Sequence, residues 1–198
     1  MNRSGKTERE ALDFYPTPPE ATAVFRDWLA ERHDAPTPAT FFLDPAAGEG
    51  HLIGAMNEGR WKCANWCAIE LDAERAKTLG ETGLVRSGLL VGNALTLPWP
   101  LAHVVANPPF SLLDAFWQKG AEHRARHHVW VAMFTPVAWW NAEKRADYVR
   151  PDVIISLGWR PVFRRKMGPA HKGSQDFAWS ILAPTPSRRT VWMRKEKP

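Results

Sequence analysis

Short apolar runs that end in an acid, an amide or a glycine recur along this chain, and most are followed by a stretch with helical apolar spacing. Phe41-Phe42-Leu43-Asp44, Cys67-Ala68-Ile69-Glu70, Leu89-Leu90-Val91 and His103 to Ala106 are the clearest. Strands alternating with helices in this way bury both sheet faces only as a mostly parallel sheet with helices on either side. Strands are expected near residues 40–44, 65–70, 88–92, 102–106, 128–134, 152–156 and 176–183. Helices are expected near 18–32, 50–59, 72–80, 112–125 and 137–149. The last strand arrives after a loop rather than a helix and is expected to run antiparallel. The fold class is therefore α/β, a doubly wound, mostly parallel seven-stranded sheet with one antiparallel strand. In such sheets ligands bind beyond the carboxyl ends of the strands, and that is where the polar residues fall.

The first strand runs into Asp44-Pro45-Ala46-Ala47-Gly48-Glu49-Gly50 and then an apolar-periodic segment through Leu52, Ile53 and Met56. A turn of small residues lets the backbone approach a ligand and aims helix N–H groups at it. Only Gly48 and Gly50 of a dinucleotide fingerprint are present, and the Lys and Ser/Thr of a phosphate loop are absent. The second strand ends in Glu70-Leu71-Asp72, where a carboxylate grips ribose hydroxyls in doubly wound folds. Asp72 also reads as an ordinary helix N-cap; Glu70 stands too far from the helix for that role. The third ends in Gly92-Asn93-Ala94, with Asn93 placed either to read an adenine edge or simply to make the turn.

The fourth strand ends in Asn107-Pro108-Pro109-Phe110. Two successive prolines hold an extended segment with carbonyls directed outward. An amide oxygen, a carbonyl and a ring gathered there suit chemistry on a planar amino group, whose lone pair is delocalised until acceptors draw its hydrogens out of plane. The plainer alternative is a Pro-rich strand-to-helix turn.

Taken in order, these strand ends resemble those of the class I, Rossmann-like methyltransferases that use S-adenosylmethionine, specifically the enzymes that methylate the N6 amino group of adenine in DNA. The resemblance runs from about Phe14 to Ile181 and is greatest to the small phage-encoded enzymes, whose C-terminal third is similar to Leu157 to Phe163 and Asp176 to Ile181. It implies a cofactor site formed by Tyr15, Thr17, Asp44, Pro45, Ala46, Gly48, Gly50, Glu70, Leu71, Asn93, Ala94 and Asn107. Asn93 stands where the family more often has Asp. Asn107, Pro108, Pro109 and Phe110 would be catalytic. Tyr15 and Thr17 belong to Asp13 to Glu20, similar to the family's segment that closes over the methionine end of the cofactor; a Pro-rich helix entry capped by Thr17 is the alternative. Closely similar tetrads serve RNA methyltransferases acting on adenine N6 or guanine N2, and glutamine methyltransferases of proteins. A non-catalytic nucleic-acid-binding module is a further alternative, for which Asn107 would have no purpose.

Charge is unevenly placed. Residues 150–198 carry 11 lysines or arginines against 3 acids, while residues 1–149 carry 15 against 18. A basic quarter on a mildly acidic core fits a polyanionic partner, DNA or alternatively RNA, approaching from one side. Arg164, Arg165, Lys166 and Lys172, in the loop spanning 164–176, are the expected phosphate contacts; solubilisation of a sheet edge is the alternative. Of the 11 tryptophans, most are expected in the core. The adjacent Trp139 and Trp140 cannot both face inward on a helix, so Trp139 is assigned to the target-base pocket.

A chain of 198 residues with 44% hydrophobic composition suits one domain. No segment is left over for a separate target-recognition domain, so short or relaxed sequence specificity is expected. No signal peptide and no membrane span are evident, pointing to a cytoplasmic protein without a membrane partner. Cys63 and Cys67 read as buried thiols, and His123, His127 and His128 as a solvated basic helix end rather than a metal face, so no metal is expected. Asp34 to Ala39 and the charged tail after Ser187 are the segments expected to lack order.

Overall fold

The computed structural model describes residues 15–32, 40–145, 147–163, 171–172, 175–186, 191–195 and 197. In chain order the elements are α1 (Pro19–Arg32), β1 (Phe41–Asp44), α2 (His51–Met56), β2 (Asn65–Glu70), α3 (Ala73–Glu81), β3 (Gly88–Val91), β4 (His103–Ala106), α4 (Leu113–His127), β5 (Val131–Pro136), β6 (Val153–Leu157), β7 (Val162–Phe163), β8 (His171–Lys172), β9 (Phe177–Leu182) and β10 (Val191–Lys195). Eight strands form the main sheet, in the order β10-β6-β9-β5-β4-β1-β2-β3, and β7 pairs with β8 separately. All neighbours are parallel except β9, which runs antiparallel to β5 and to β6. The expected architecture is present with one strand more. Chain direction across the sheet reverses at β1, which lies between β2 and β4. A crevice opens at such a reversal because the connections leave on opposite sides.

The strands are apolar on both faces because both are covered; β5 and β9 are buried at every position. One core layer joins α1 and α2 to the sheet through Phe25, Trp28, Ile53, Met56, Trp66, Phe134 and Trp179. The other joins α4 to the opposite face through Leu43, Ile69, Val104, Trp117, Trp139 and Trp140. The indoles pack edge-on or offset, as their quadrupoles favour, and several also place their N–H. Trp179 donates to the Ala21 carbonyl (2.8 Å), Trp117 to that of Val149 (2.9 Å) and Trp140 to Ser180 Oγ (2.9 Å). Close packing of α4 on β5 depends on Gly120, where a Cβ would lie 2.9 Å from Met133 Cε and from Val131 Cγ1.

Several expectations are corrected. The tail beyond Ser187 contains β10, which pairs with β6 in parallel register, Val191 opposite Val153. Asp152 anchors this join. Its backbone N–H donates to Ile181, its carbonyl accepts from Val191, and its carboxylate accepts from Ala183 N and from Arg124. The helix expected at 137–149 is instead two 3-10 turns, Val137–Asn141 and Glu143–Arg145. Trp139 and Trp140 are both buried, each packed edge-on against Trp117 of α4, and Trp140 also donates to Ser180 of β9. The helix expected at 50–59 stops at Met56, and a 3-10 turn covers Gly59–Cys63. His123 and Arg124 are buried rather than solvated, His123 Nε2 lying 3.1 Å from the Ala102 carbonyl. Cys67 is a buried free thiol; the Cys63 side chain and residues 34–39 lie outside the described portion. Among the described residues no helix is long and apolar enough to cross a membrane, and no metal-binding group of His, Cys, Asp or Glu occurs.

Candidate active site

The turn after β1 reverses tightly because Gly48 and Gly50 take positive φ, 56° and 88°. At Gly50 a Cβ would also come within 2.5 Å of Leu79 Cδ1 on α3, so only glycine fits. Gly50 N donates to the Ala47 carbonyl (2.9 Å), and Gly54 N to that of Gly50 (2.8 Å), which starts α2. Ala46 N–H donates to Asp44 Oδ1 at 3.1 Å.

Glu70, buried at the end of β2, binds two turns together. One carboxylate oxygen accepts Gly48 N–H at 2.7 Å and the other accepts Asp72 N–H at 3.0 Å, while the Glu70 carbonyl accepts Gly92 N–H at 2.8 Å. Each carboxylate oxygen retains a further lone pair for a ligand. Asp72 is the N-cap of α3, accepting from Glu74 N and Arg75 N. Asn93 Oδ1 accepts Leu95 N–H at 2.9 Å, which makes the turn and leaves the side-chain NH2 as the group offered to a ligand. A donor there suits a ring nitrogen of a purine, the reverse of what an aspartate would present.

At the end of β4, Asn107 Nδ2 donates to the Tyr15 carbonyl at 3.0 Å, fixing which way the amide faces. Its Oδ1 is buried without a hydrogen-bond partner among the described residues. Such an acceptor carries a cost of about 1–3 kcal/mol, and Asn107 is among the residues that line a cleft. Phe110 stacks against Tyr15, ring centroids 5.9 Å apart and planes 16° from parallel, and is backed by Phe177 at 5.4 Å and Phe163 at 6.5 Å.

The cleft, about 370 Å³, opens at the reversal point of the sheet. Tyr15, Thr17, Asp44, Pro45, Ala46, Glu70, Leu71, Asn93, Ala94, Asn107 and Pro109 line it. These come from five separate stretches of sequence. Gly48 and Gly50 stand behind the wall and shape its turn; Pro108 and Phe110 flank it without lining it. Burial raises the Asp44 carboxyl to about 7, opposed by the Ala46 N–H and reinforced by the nearby Glu70.

Trp139, assigned to a target-base pocket, is not among the residues that line this cleft. It is buried against Trp117 and Trp140, and the Arg145 guanidinium lies 4.4 Å over its ring while donating to its carbonyl at 2.7 Å. Arg145 also pairs with Asp114 at the start of α4 and holds that carboxyl below its usual range. Arg164, Arg165 and Lys166 lie outside the described residues. Lys172 pairs with Val162 in the β7–β8 hairpin, with its side chain undescribed. Ala47, His51, Leu52, Arg75, Gly92, Ser111, Leu112 and Phe116 also line the cleft and were not anticipated. Ser111 to Phe116 follow the tetrad directly, and their approach to the cleft depends on the 3-10 turn at Phe110–Leu112.

No family model matches the sequence, and no curated protein does. Solved structures do match in fold. A Listeria monocytogenes protein described as a class I S-adenosylmethionine-dependent methyltransferase superposes with a TM-score of 0.65 at 14% identity, over 90% of this chain and 65% of that one. The methyltransferase subunit of a type I restriction-modification system from Streptococcus thermophilus gives 0.62 at 14% identity, over 92% and 47%. A Pyrococcus horikoshii protein described as an RNA methyltransferase gives 0.57 at 14% identity, over 88% and 87%. The chain therefore has the class I methyltransferase fold, and it spans 65% and 47% of the length of the first two structures.

Proposed function

We propose that the protein transfers a methyl group from S-adenosylmethionine to the N6 amino group of adenine in DNA. The observation that carries this reading is the buried, unpartnered Oδ1 of Asn107, a residue that lines the cleft within an Asn-Pro-Pro-Phe segment. Asn57 Oδ1 is likewise buried and unpartnered, but Asn57 lies off the cleft, whereas Asn107 is among the residues that line it, where a substrate N–H could meet it.

The cleft fits the cofactor. Its volume lies in the range of small-molecule sites, its carboxylates Asp44 and Glu70 suit a cationic ligand with hydroxyls, and the Asn93 amide suits a purine edge. Tyr15, Thr17, Asp44, Ala46, Glu70 and Asn93 are the residues that would hold it. When bound, S-adenosylmethionine supplies a methyl group already activated by its sulfonium.

The protein's part is alignment and charge stabilisation. Asn107 Oδ1 accepts one hydrogen of the target amino group and the Pro108 carbonyl the other, drawing the nitrogen toward tetrahedral geometry and stabilising its developing positive charge. Phe110 offers a ring face to the base and its incipient cation. Tyr15 stacks on one face of that ring, so the base would take the other face or displace Tyr15. A base in duplex DNA must leave the stack to reach it, at a cost of about a few kcal/mol.

The likeness to the restriction-modification subunit supports DNA as substrate. The likeness to the protein described as an RNA methyltransferase supports the second reading, RNA adenine N6 or guanine N2. The test is to incubate the protein with tritium-labelled S-adenosylmethionine and duplex DNA, single-stranded DNA or total RNA, then digest to nucleosides. Label in N6-methyladenine from DNA is expected. Label confined to RNA nucleosides transfers the reading to RNA, and no label in any nucleic acid overturns it.

A further inference from the structure

Lys119, on the middle of α4, is not a lysine of the solvated face. Its ammonium donates to three carbonyls of one short turn, Ala94 at 2.8 Å, Leu95 at 3.1 Å and Leu97 at 2.6 Å. An ammonium has three donors and no acceptor, so all three are used. It also lies 5.3 Å from the centroid of the Trp99 ring, whose own N–H donates to the Ala94 carbonyl at 2.9 Å. The turn is closed from within by Thr96 N and Leu97 N donating to Asn93 O. Three carbonyl oxygens pointing at one spot repel each other unless a cation sits there, and burial has lowered the pKa of this lysine from its ordinary value. The ammonium is held in place although desolvation opposes it, because charge-assisted bonds are about twice as strong as neutral ones.

The turn so fixed is the cleft wall formed by Gly92, Asn93 and Ala94, and one helical turn before Lys119 the same helix puts Phe116 on the cleft. One ammonium therefore joins the Asn93 wall to the helix that follows the Asn-Pro-Pro-Phe segment. We infer that Lys119 is a positioning residue that sets the Asn93 amide against the purine of the cofactor, and so determines how strictly the cleft selects adenine. This rests on the reading of the cleft as a cofactor site with Asn93 on its purine wall.

The test is isothermal titration of S-adenosylhomocysteine and of its deaminated analogue, S-inosylhomocysteine, into the intact protein and into Lys119→Met and Lys119→Arg, with thermal melting of each. The intact protein is expected to prefer the adenine ligand. Lys119→Met is expected to bind it about tenfold more weakly and to lose most of the preference, and Lys119→Arg, which keeps a cationic donor, to restore much of both. A Lys119→Met protein that melts lower but keeps the full preference has lost only a structural brace, which overturns the inference while leaving the purine wall intact. An intact protein that binds both ligands equally overturns the assignment of Asn93 and the role of Lys119 with it. Should Lys119→Met fail to fold, Lys119→Arg and Lys119→Gln carry the same comparison.

Discussion

Asp44 and Glu70 stand together at the base of the cleft, and the raised Asp44 carboxyl makes a pH signature at the level of one residue. A ligand bearing positive charge favours the ionised carboxylate, and the ionised fraction of Asp44 grows as pH rises through about 7. Cofactor affinity, measured by titration calorimetry, is expected to strengthen between roughly pH 6 and 8, and Asp44→Asn to flatten that profile. The stability of the ligand-free protein moves the other way. A carboxyl raised in the folded state contributes stability fully below its ordinary value and loses it as pH rises through about 7. Asp44→Asn should therefore melt higher than the parent at pH 8, with the difference shrinking toward pH 5.

Among elements, the join of α4, β6, β9 and β10 depends on one carboxylate. Arg124→Met would remove the guanidinium that pairs with the buried Asp152 carboxylate and donates to the Ala183 carbonyl. A loss of about 3–5 kcal/mol in denaturant unfolding is expected. Gly50→Ala should cost turn geometry rather than packing alone, because the backbone is left-handed and Leu79 blocks the Cβ; cofactor binding is expected to fall together with the melting temperature. The elements also show where sequence was legible. Parallel strands announced themselves as short apolar runs ending in Asp44, Glu70 and Asn107, because both their faces are buried and their ends carry the chemistry. The 3-10 turns at 137–145 did not, since the pattern Val-Ala-Trp-Trp fits a helix until Trp117 and Ser180 are known to lie nearby. β10 hid inside a basic tail, because an edge strand needs few apolar residues to pair.

On the scale of the whole molecule, the cleft depends on a reversal of strand order that gathers five distant segments. The residues at strand ends were readable in advance because topology alone puts strand ends together. Arg75, Phe116 and Lys119 were not, because their approach depends on helix rotation, which periodicity leaves undetermined. The uneven charge of the chain makes one prediction of its own. Glutamine at Arg164, Arg165 and Lys166 together should leave cofactor affinity unchanged and reduce the slope of log binding against log salt for DNA by roughly 2–3.

Catalysis as proposed turns on Asn107 Oδ1 accepting a hydrogen of the substrate amino group. Its most direct test is Asn107→Ala, followed by calorimetry with S-adenosylhomocysteine and by transfer of labelled methyl groups to nucleic acid. Transfer is expected to fall by about a hundredfold or more in a folded protein that still binds the cofactor product. Transfer at the parent rate would contradict it, and would return Asn107 to the role of a turn residue.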